Sequence, residues 1–186
     1  MKKLLGLVLA VFALMFTFGP NMNTAEAARV AVLPLQMDNL KEDSEDVGKH
    51  DYNSLYWDEA TDLFKFPSFD LMGDDEVQKA LPAEGLKDYS QATLKDLANK
   101  LGCDIVFAMQ LDQITSTAQS WLREPTETLF MKGQVAYYNR ISGKYKLEKI
   151  YEKNEVEEAL LVRGDWRTDL FGKTTRRYMQ RAMALK

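Results

Sequence analysis

Cysteine and histidine, two residues that recur in enzyme sites, each occur only once in this chain of 186 residues. The single cysteine, Cys103, excludes an intramolecular disulfide, and its place at the start of an apolar run predicts a buried, inert thiol. A Ser-His-Asp triad or a Cys-His pair would need His50, which lies in a charged segment. A zinc site lacks a second histidine. The sequence therefore predicts no metal and no cofactor.

Sequence motifs of catalysis are also missing. The chain has no P-loop, no GxSxG, no HExxH and no glycine-rich nucleotide turn. The acidic segment 38–51 fails the EF-hand pattern, because Lys49 and Ser54 stand at positions seven and twelve from Asp43. A pair of carboxylates for glycoside hydrolysis stays an open alternative, with Trp57-Asp58-Glu59 as the tempting cluster. On a helix, this cluster is better explained as an exposed acidic face.

The strongly apolar run near the N-terminus, Leu4–Phe18, is shorter than the roughly 20 residues that a membrane-spanning helix needs. Lys2 and Lys3 precede this run, and Ala25-Glu26-Ala27 follows it with the small-x-small pattern of a cleavage site. Residues 1–27 are therefore predicted to be a cleavable signal peptide. Residues 15–30 contain no cysteine that could carry a lipid, so we expect no lipid anchor. We expect an exported protein, periplasmic or secreted, with no transmembrane helix in the mature chain.

The charge balance also limits the possible partners. The formal net charge is −4, which gives no general attraction to nucleic acid. No repeat or low-complexity linker interrupts residues 28–186, so we predict that they form a single domain.

Hydrophobic periodicity predicts an α/β (α+β) fold, a single mixed β-sheet with helices packed on it. Early strands alternate with helices and favour parallel pairing, whereas the later strands form a hairpin and must be antiparallel. The predicted strands are 29–35, 69–72, 103–115, 126–138 and 145–152. The predicted helices are 52–65, a short one capped by Asp74, one capped by Ser90 and ended by Gly102, and a last one from Asp165 or Thr168.

The hairpin is the candidate binding site. Tyr137, Tyr138, Tyr145 and Tyr151 lie in strands that turn polar, and aromatic rings on both faces of a strand do not fit one core. Cross-strand packing is the ordinary explanation, and a partner-binding surface is the other. An outer hairpin strand also leaves backbone groups free for another chain's strand, and the lysines at 146, 149 and 153 protect such an edge from unwanted pairing.

Three segments carry a resemblance to a known family. Arg29–Leu35 is similar to the "VAVLPF" opening strand, Leu97–Leu111 to the "LAKKLGADYVLxGxI" helix-strand unit, and Ile141–Lys144 to the "xTGK" hairpin turn of TolB N-terminal-like domains. This family includes LpoB-type and CsgG-type bacterial envelope proteins. The chain departs from those lipoproteins in lacking the lipid-carrying cysteine. The resemblance implies a small exported module of the accessory or binding type.

We therefore expect a non-enzymatic domain that interacts with an envelope protein or a cell-wall component. Two alternatives remain open at this point. One is a small cell-wall glycan hydrolase that uses paired carboxylates, and the other is a self-assembling structural subunit, which would be a homo-oligomer.

Overall fold

The computed structural model describes residues 27–37, 51–82, 85–119, 126–157 and 166–185. These residues form one mixed sheet of five strands, together with four helices. The strands are β1 Ala28–Val32, β2 Phe69–Leu71, β3 Ile105–Gln119, β4 Thr126–Asn139 and β5 Lys144–Glu157. The helices are α1 Tyr52–Leu63, α2 Asp74–Ala80, α3 Gln91–Leu101 and α4 Trp166–Met183. The predicted signal peptide up to residue 26 and the charged segment 38–50, with His50, lie outside the described residues.

The strand order is β2-β1-β3-β4-β5. β1 pairs in parallel with β2 and with β3, whereas β3, β4 and β5 form an antiparallel series. This pattern confirms the predicted mixed sheet with a late antiparallel hairpin. None of the helices in the described ranges is both long and apolar enough to cross a bilayer.

The sheet is covered on two sides at its centre, which explains why β1 and the first half of β3 are apolar on both faces. Val32 and Phe107 pack towards α1 and α4, and we call this side the α4 face. Ala31 and Val106 pack towards α2 and α3, on the side that we call the α3 face. The alternation expected for the strand that begins after Cys103 is thus confirmed, with one apolar cluster on each side of the sheet.

Helix ends follow the predicted chemistry at α3. The Ser90 side chain accepts a hydrogen bond from the Thr93 backbone N–H, and Gly102 ends the helix with φ of +63°. The prediction for Asp74 is wrong, because Gly73 occupies the N-cap position and Asp74 is the first residue of α2. The Asp74 carboxylate instead accepts hydrogen bonds from the Gln78 amide one turn later.

Two of the strands, β3 and β5, end later than predicted. β3 continues to Gln119 and β5 to Glu157, beyond the expected ends at 115 and 152. The polar side chains after residues 115 and 152 predicted that the strands end there. Backbone hydrogen bonds with β4 nevertheless continue the strands, because such bonds do not depend on the side chains. The antiparallel series therefore extends past the part of the sheet that the described helices cover.

Candidate functional site

The structure separates the four predicted tyrosines by burial. Tyr137 and Tyr138 are buried, with exposed fractions of 1% and 4%, whereas Tyr151 is 72% exposed and Tyr145 is intermediate. Burial favours the packing explanation for Tyr137 and Tyr138 over a place for their rings in a partner-binding surface. Adjacent residues of a strand face opposite sides, and both sides of the sheet are covered at this point. Tyr137 therefore joins the core on the α4 face and Tyr138 joins the core on the α3 face.

Tyr145 has a structural contact as well. Its hydroxyl donates a hydrogen bond to the Tyr89 backbone carbonyl at 2.6 Å, and its ring packs beside the core of the α3 face. This bond ties the start of β5 to the segment that leads into α3. Of the four tyrosines, Tyr151 is thus the one whose ring is mostly available to a partner.

On the α4 face, the charged side chains of β5 are already paired. Arg181 Nη1 lies 2.5 Å from one carboxylate oxygen of Glu148, and Lys146 Nζ lies 2.9 Å from the other. Arg177 pairs with Glu152 in the same way. Residues of α4 therefore neutralise the acidic side chains on this side of β5.

Glu148 also receives a hydrogen bond from the buried Tyr137 hydroxyl. Burial on its own raises the pKa of Glu148, but the bonds from Tyr137 and Lys146 and the charge of Arg181 outweigh it, so the pKa lies below the usual value. The pKa of Tyr137 is raised, first by burial and then by the bond to Glu148. The carboxylate thus stays ionised and the phenol stays neutral, which suits a structural contact between β5 and α4.

On the α3 face, the side chains of the hairpin far from its turn are exposed, because this part of the hairpin extends past α3. Tyr151 and Lys132 are opposite each other in the β4–β5 register, and Leu147 is opposite the buried Ala136. Leu147 is 48% exposed and Tyr151 is 72% exposed. We call this surface the lysine–aromatic strip. Its members, all on the α3 face, are Phe130, Lys132, Leu147, Lys149, Tyr151 and Lys153.

The strip combines an ordered aromatic pair with positive charge. The rings of Phe130 and Tyr151 meet edge to face, with centroids 5.1 Å apart and planes at 80°. Lys132, Lys149 and Lys153 are exposed, and none of them forms an ion pair with a described residue. Within the described residues, these lysines thus differ from the charged side chains on the α4 face, which are paired.

A groove of about 700 Å³ adjoins the strip, between the sheet and residues 86–91. Amide side chains form its floor: Gln134 Nε2 donates to Gln110 Oε1 at 2.8 Å, and Gln110 Nε2 donates to Asp112 Oδ1 at 3.1 Å. Leu147 borders both the groove and the strip. The two surfaces are therefore continuous, and together they offer polar, apolar and cationic contacts to an extended ligand.

Two side chains that the sequence offered for enzymatic chemistry, Cys103 and Glu59, are in environments that give such chemistry no support. Burial raises the pKa of the Cys103 thiol to about 11, which disfavours the reactive thiolate. In the cluster Trp57-Asp58-Glu59, the Glu59 carboxylate pairs with Arg176 Nε at 2.6 Å. The described residues contain no group of three side chains that could hold a metal ion.

Among the described residues, the carboxyl groups whose pKa departs clearly from its usual value are Asp62, Asp88 and Glu148, and in all three the pKa is lowered. Hydrogen bonds from Lys65 and Arg176 lower the pKa of Asp62 to about 2, and bonds from Ser90 and Thr93 lower that of Asp88. A glycosidase needs one carboxyl with a raised pKa, so that it can donate a proton. These groups therefore give no support to the hydrolase alternative.

Sequence reasoning missed the residues that complete the surface. Phe130 and Lys132 belong to it because of the β4–β5 register, and Gln110 and Gln134 because β3 and β4 pair directly at these positions. The strict alternation in 145–153 was a usable signal for the β5 members. The sequence contained no comparable signal for the glutamines, because their proximity depends on strand pairing.

Comparison with known proteins finds solved structures that match this chain at low sequence identity and low TM-score. No protein-family model matches the sequence, and a search of curated proteins finds no match. Solved structures that match include lipoprotein GNA1162 from Neisseria meningitidis, at 9% identity and a TM-score of 0.44, over 83% of this chain and 96% of that one. The LpoB C-terminal domain from Salmonella enterica matches at 11% identity and a TM-score of 0.38, over 70% and 83% of the two chains.

A neuraminyllactose-binding hemagglutinin homolog from Helicobacter pylori matches at 8% identity and a TM-score of 0.40, over 83% of each chain. At these identities and TM-scores, the similarity assigns neither a family nor an activity to this chain.

Proposed function

We propose that this chain is an exported, non-enzymatic accessory domain that binds another component of the cell envelope. The lysine–aromatic strip and the adjoining groove are its binding surface. Export rests on the signal sequence of residues 1–27, and the predicted product is periplasmic or secreted without a lipid anchor. The resemblance to TolB N-terminal-like domains supports a binding role of this kind.

The observation that carries the proposal is the exposure of Leu147 and Tyr151 beside three exposed lysines that form no ion pair with any described residue. Removal of large apolar side chains from water is favourable, so a partner that buries those exposed on an edge strand gains free energy from the contact. Aromatic rings and long cationic side chains are common in binding surfaces, because they combine apolar area with directed polar contacts. The same strand has fully paired charges on its other face. The asymmetry points to one side of β5 as the side available for binding.

Substitution of the two exposed apolar residues tests the proposal. Tyr151→Ser and Leu147→Ser should each reduce capture of the envelope partner by the immobilised protein, while the melting temperature changes little. Ile141→Ser is the matched control, because Ile141 is 75% exposed but lies in the hairpin turn, away from the strip. Equal capture by wild type and both strip variants would exclude the strip as the binding surface. A lowered melting temperature of the strip variants, without a specific loss of capture, would assign these side chains to the core.

A further inference from the structure

The two edges of the sheet differ in length. β2 forms one edge with three residues, whereas β5 forms the other with fourteen. The described residues include no strand on the outer side of β5. A short edge offers little backbone for pairing, but a long edge presents a row of N–H and C=O groups to another chain. The backbone of β5 is therefore the larger site for strand addition.

We propose that the partner contributes an extended, acidic protein segment, which adds to β5 as a further strand. Its acidic side chains lie over the lysines of the lysine–aromatic strip, and its backbone pairs with the outer edge of β5. This inference rests on the proposed function, and it names the chemistry of the partner and the geometry of the contact.

Charge complementarity supports an acidic segment. Lys149 and Lys153 lie on the α3 face of β5, and Lys132 lies on the same face of β4, with no ion pair to a described residue. Glu155, further along the same face of β5, is one acidic residue near them. The carboxylates of the opposite face are already held by Arg177 and Arg181. An added strand would thus meet positive charge on the α3 face alone.

The alternation along β5 specifies the pattern of the partner. Leu147, Lys149, Tyr151 and Lys153 succeed one another on the α3 face at the two-residue period of a strand. Cross-strand neighbours contact each other directly, so an added strand fits best with apolar residues opposite Leu147 and Tyr151 and with acidic residues opposite the lysines. A second copy of this chain would oppose a strip of the same charge, which disfavours self-pairing at this edge.

Synthetic peptides test the inference with the protein as its host exports it. The matched probe is a fluorescent peptide of roughly eight residues, the length of an ordinary strand, with valine and glutamate alternating on one face and threonine on the other. One control peptide has lysine in place of glutamate. A second control keeps the glutamates but has N-methylated backbone amides, so it cannot form the ladder. The matched peptide should bind in fluorescence anisotropy, and both control peptides should not.

Charge reversal on the protein provides the second arm. The double variant Lys149→Glu and Lys153→Glu should bind the matched peptide about tenfold more weakly, as expected for the loss of two exposed charge pairs. The control Lys173→Glu reverses one charge at an exposed residue of α4 and should bind normally. Equal binding by the wild type and the double variant would overturn the proposed role of the strip lysines.

Other probes identify the competing occupants. Binding of the N-methylated peptide as tightly as the matched one would overturn strand addition and leave only charge attraction. Binding to phosphatidylglycerol vesicles without binding to the matched peptide would assign the surface to an anionic membrane and overturn the inference. If Tyr151→Ser abolishes partner capture but the matched peptide does not bind, the inference fails and the proposed function stands. If substitutions in the strip also leave partner capture unchanged, both the inference and the proposed function fail.

Discussion

At the scale of single residues, the four tyrosines of the hairpin show how a shared residue type acquires different roles. Tyr137 is buried and its hydroxyl contacts Glu148, whereas Tyr151 is mostly exposed and its ring contacts Phe130. The difference arises from what covers each position of the sheet. Helices cover both faces of the hairpin near its turn, where Tyr137 lies, whereas the strip extends past α3 on one face.

Substitution of these two tyrosines should separate their roles. Tyr137→Ser should lower the free energy of unfolding by about 3–5 kcal/mol, the usual cost of truncating a buried aromatic ring. Tyr151→Ser should cost less than about 1 kcal/mol, because the ring is mostly in water already and loses chiefly its contact with Phe130. Urea denaturation measures both values. Equal costs for the two variants would contradict the assignment of Tyr151 to the surface.

At the scale of elements, the central strands and α3 could be predicted from sequence, and the outer surface could not. The apolar alternation after Cys103 and the caps at Ser90 and Gly102 are local signals, so β3 and α3 were recognised. The strip depends on the β4–β5 register, and the groove depends on which strands lie next to β3. These are contacts between distant parts of the chain, which local periodicity does not encode. The polar ends of β3 and β5 were missed for the same reason.

The bulge between β3 and β4 requires a residue without a side chain. The register shifts between Leu111 and Gln113, and the partner at this point is Gly133. A Cβ atom at Gly133 would lie 2.1 Å from the Gln110 backbone oxygen, which is far inside van der Waals contact. Gly133→Ala should therefore cost about 1–3 kcal/mol or more. Gly73→Ala, where a Cβ meets nothing within 4 Å, should cost less than about 1 kcal/mol in the same urea titration.

The contact between β5 and α4 should depend on pH. The pKa of Glu148 is lower in the folded protein than its ordinary value of 4.5, so the unfolded chain binds more protons between the two values. The stabilisation is complete above pH 4.5 and is lost as the pH falls through the folded pKa. Glu148→Gln should remove this part of the acid dependence in urea titrations between pH 3 and pH 6. An unchanged acid dependence would show that Glu148 contributes none of it.

At the scale of the whole molecule, the chain is acidic while its long sheet edge presents lysines. The net charge of −4 opposes non-specific binding of polyanions, and the local positive charge of the strip is confined to one face of the hairpin. Such a distribution favours a partner that reaches this face specifically.

Export makes a separate prediction about the mature protein. Cleavage after Ala27 should give a chain that begins at Ala28, at the start of β1, and carries no lipid. Intact-mass analysis of the protein from its native host should show the truncated, unmodified chain. A mass that includes residues 1–27 would show that the signal-peptide assignment is wrong. A mass increased by acyl chains would show that the protein carries a lipid anchor.

The central claim is that an envelope component binds at the lysine–aromatic strip, and photo-crosslinking in the native host tests it most directly. A photoreactive amino acid is placed at Tyr151 in one strain and, as a control, at the equally exposed Ile141 of the hairpin turn in another. The account predicts a discrete adduct with one envelope component from position 151 and none from position 141. The absence of an adduct at position 151, or the same adduct from both positions, would contradict the account.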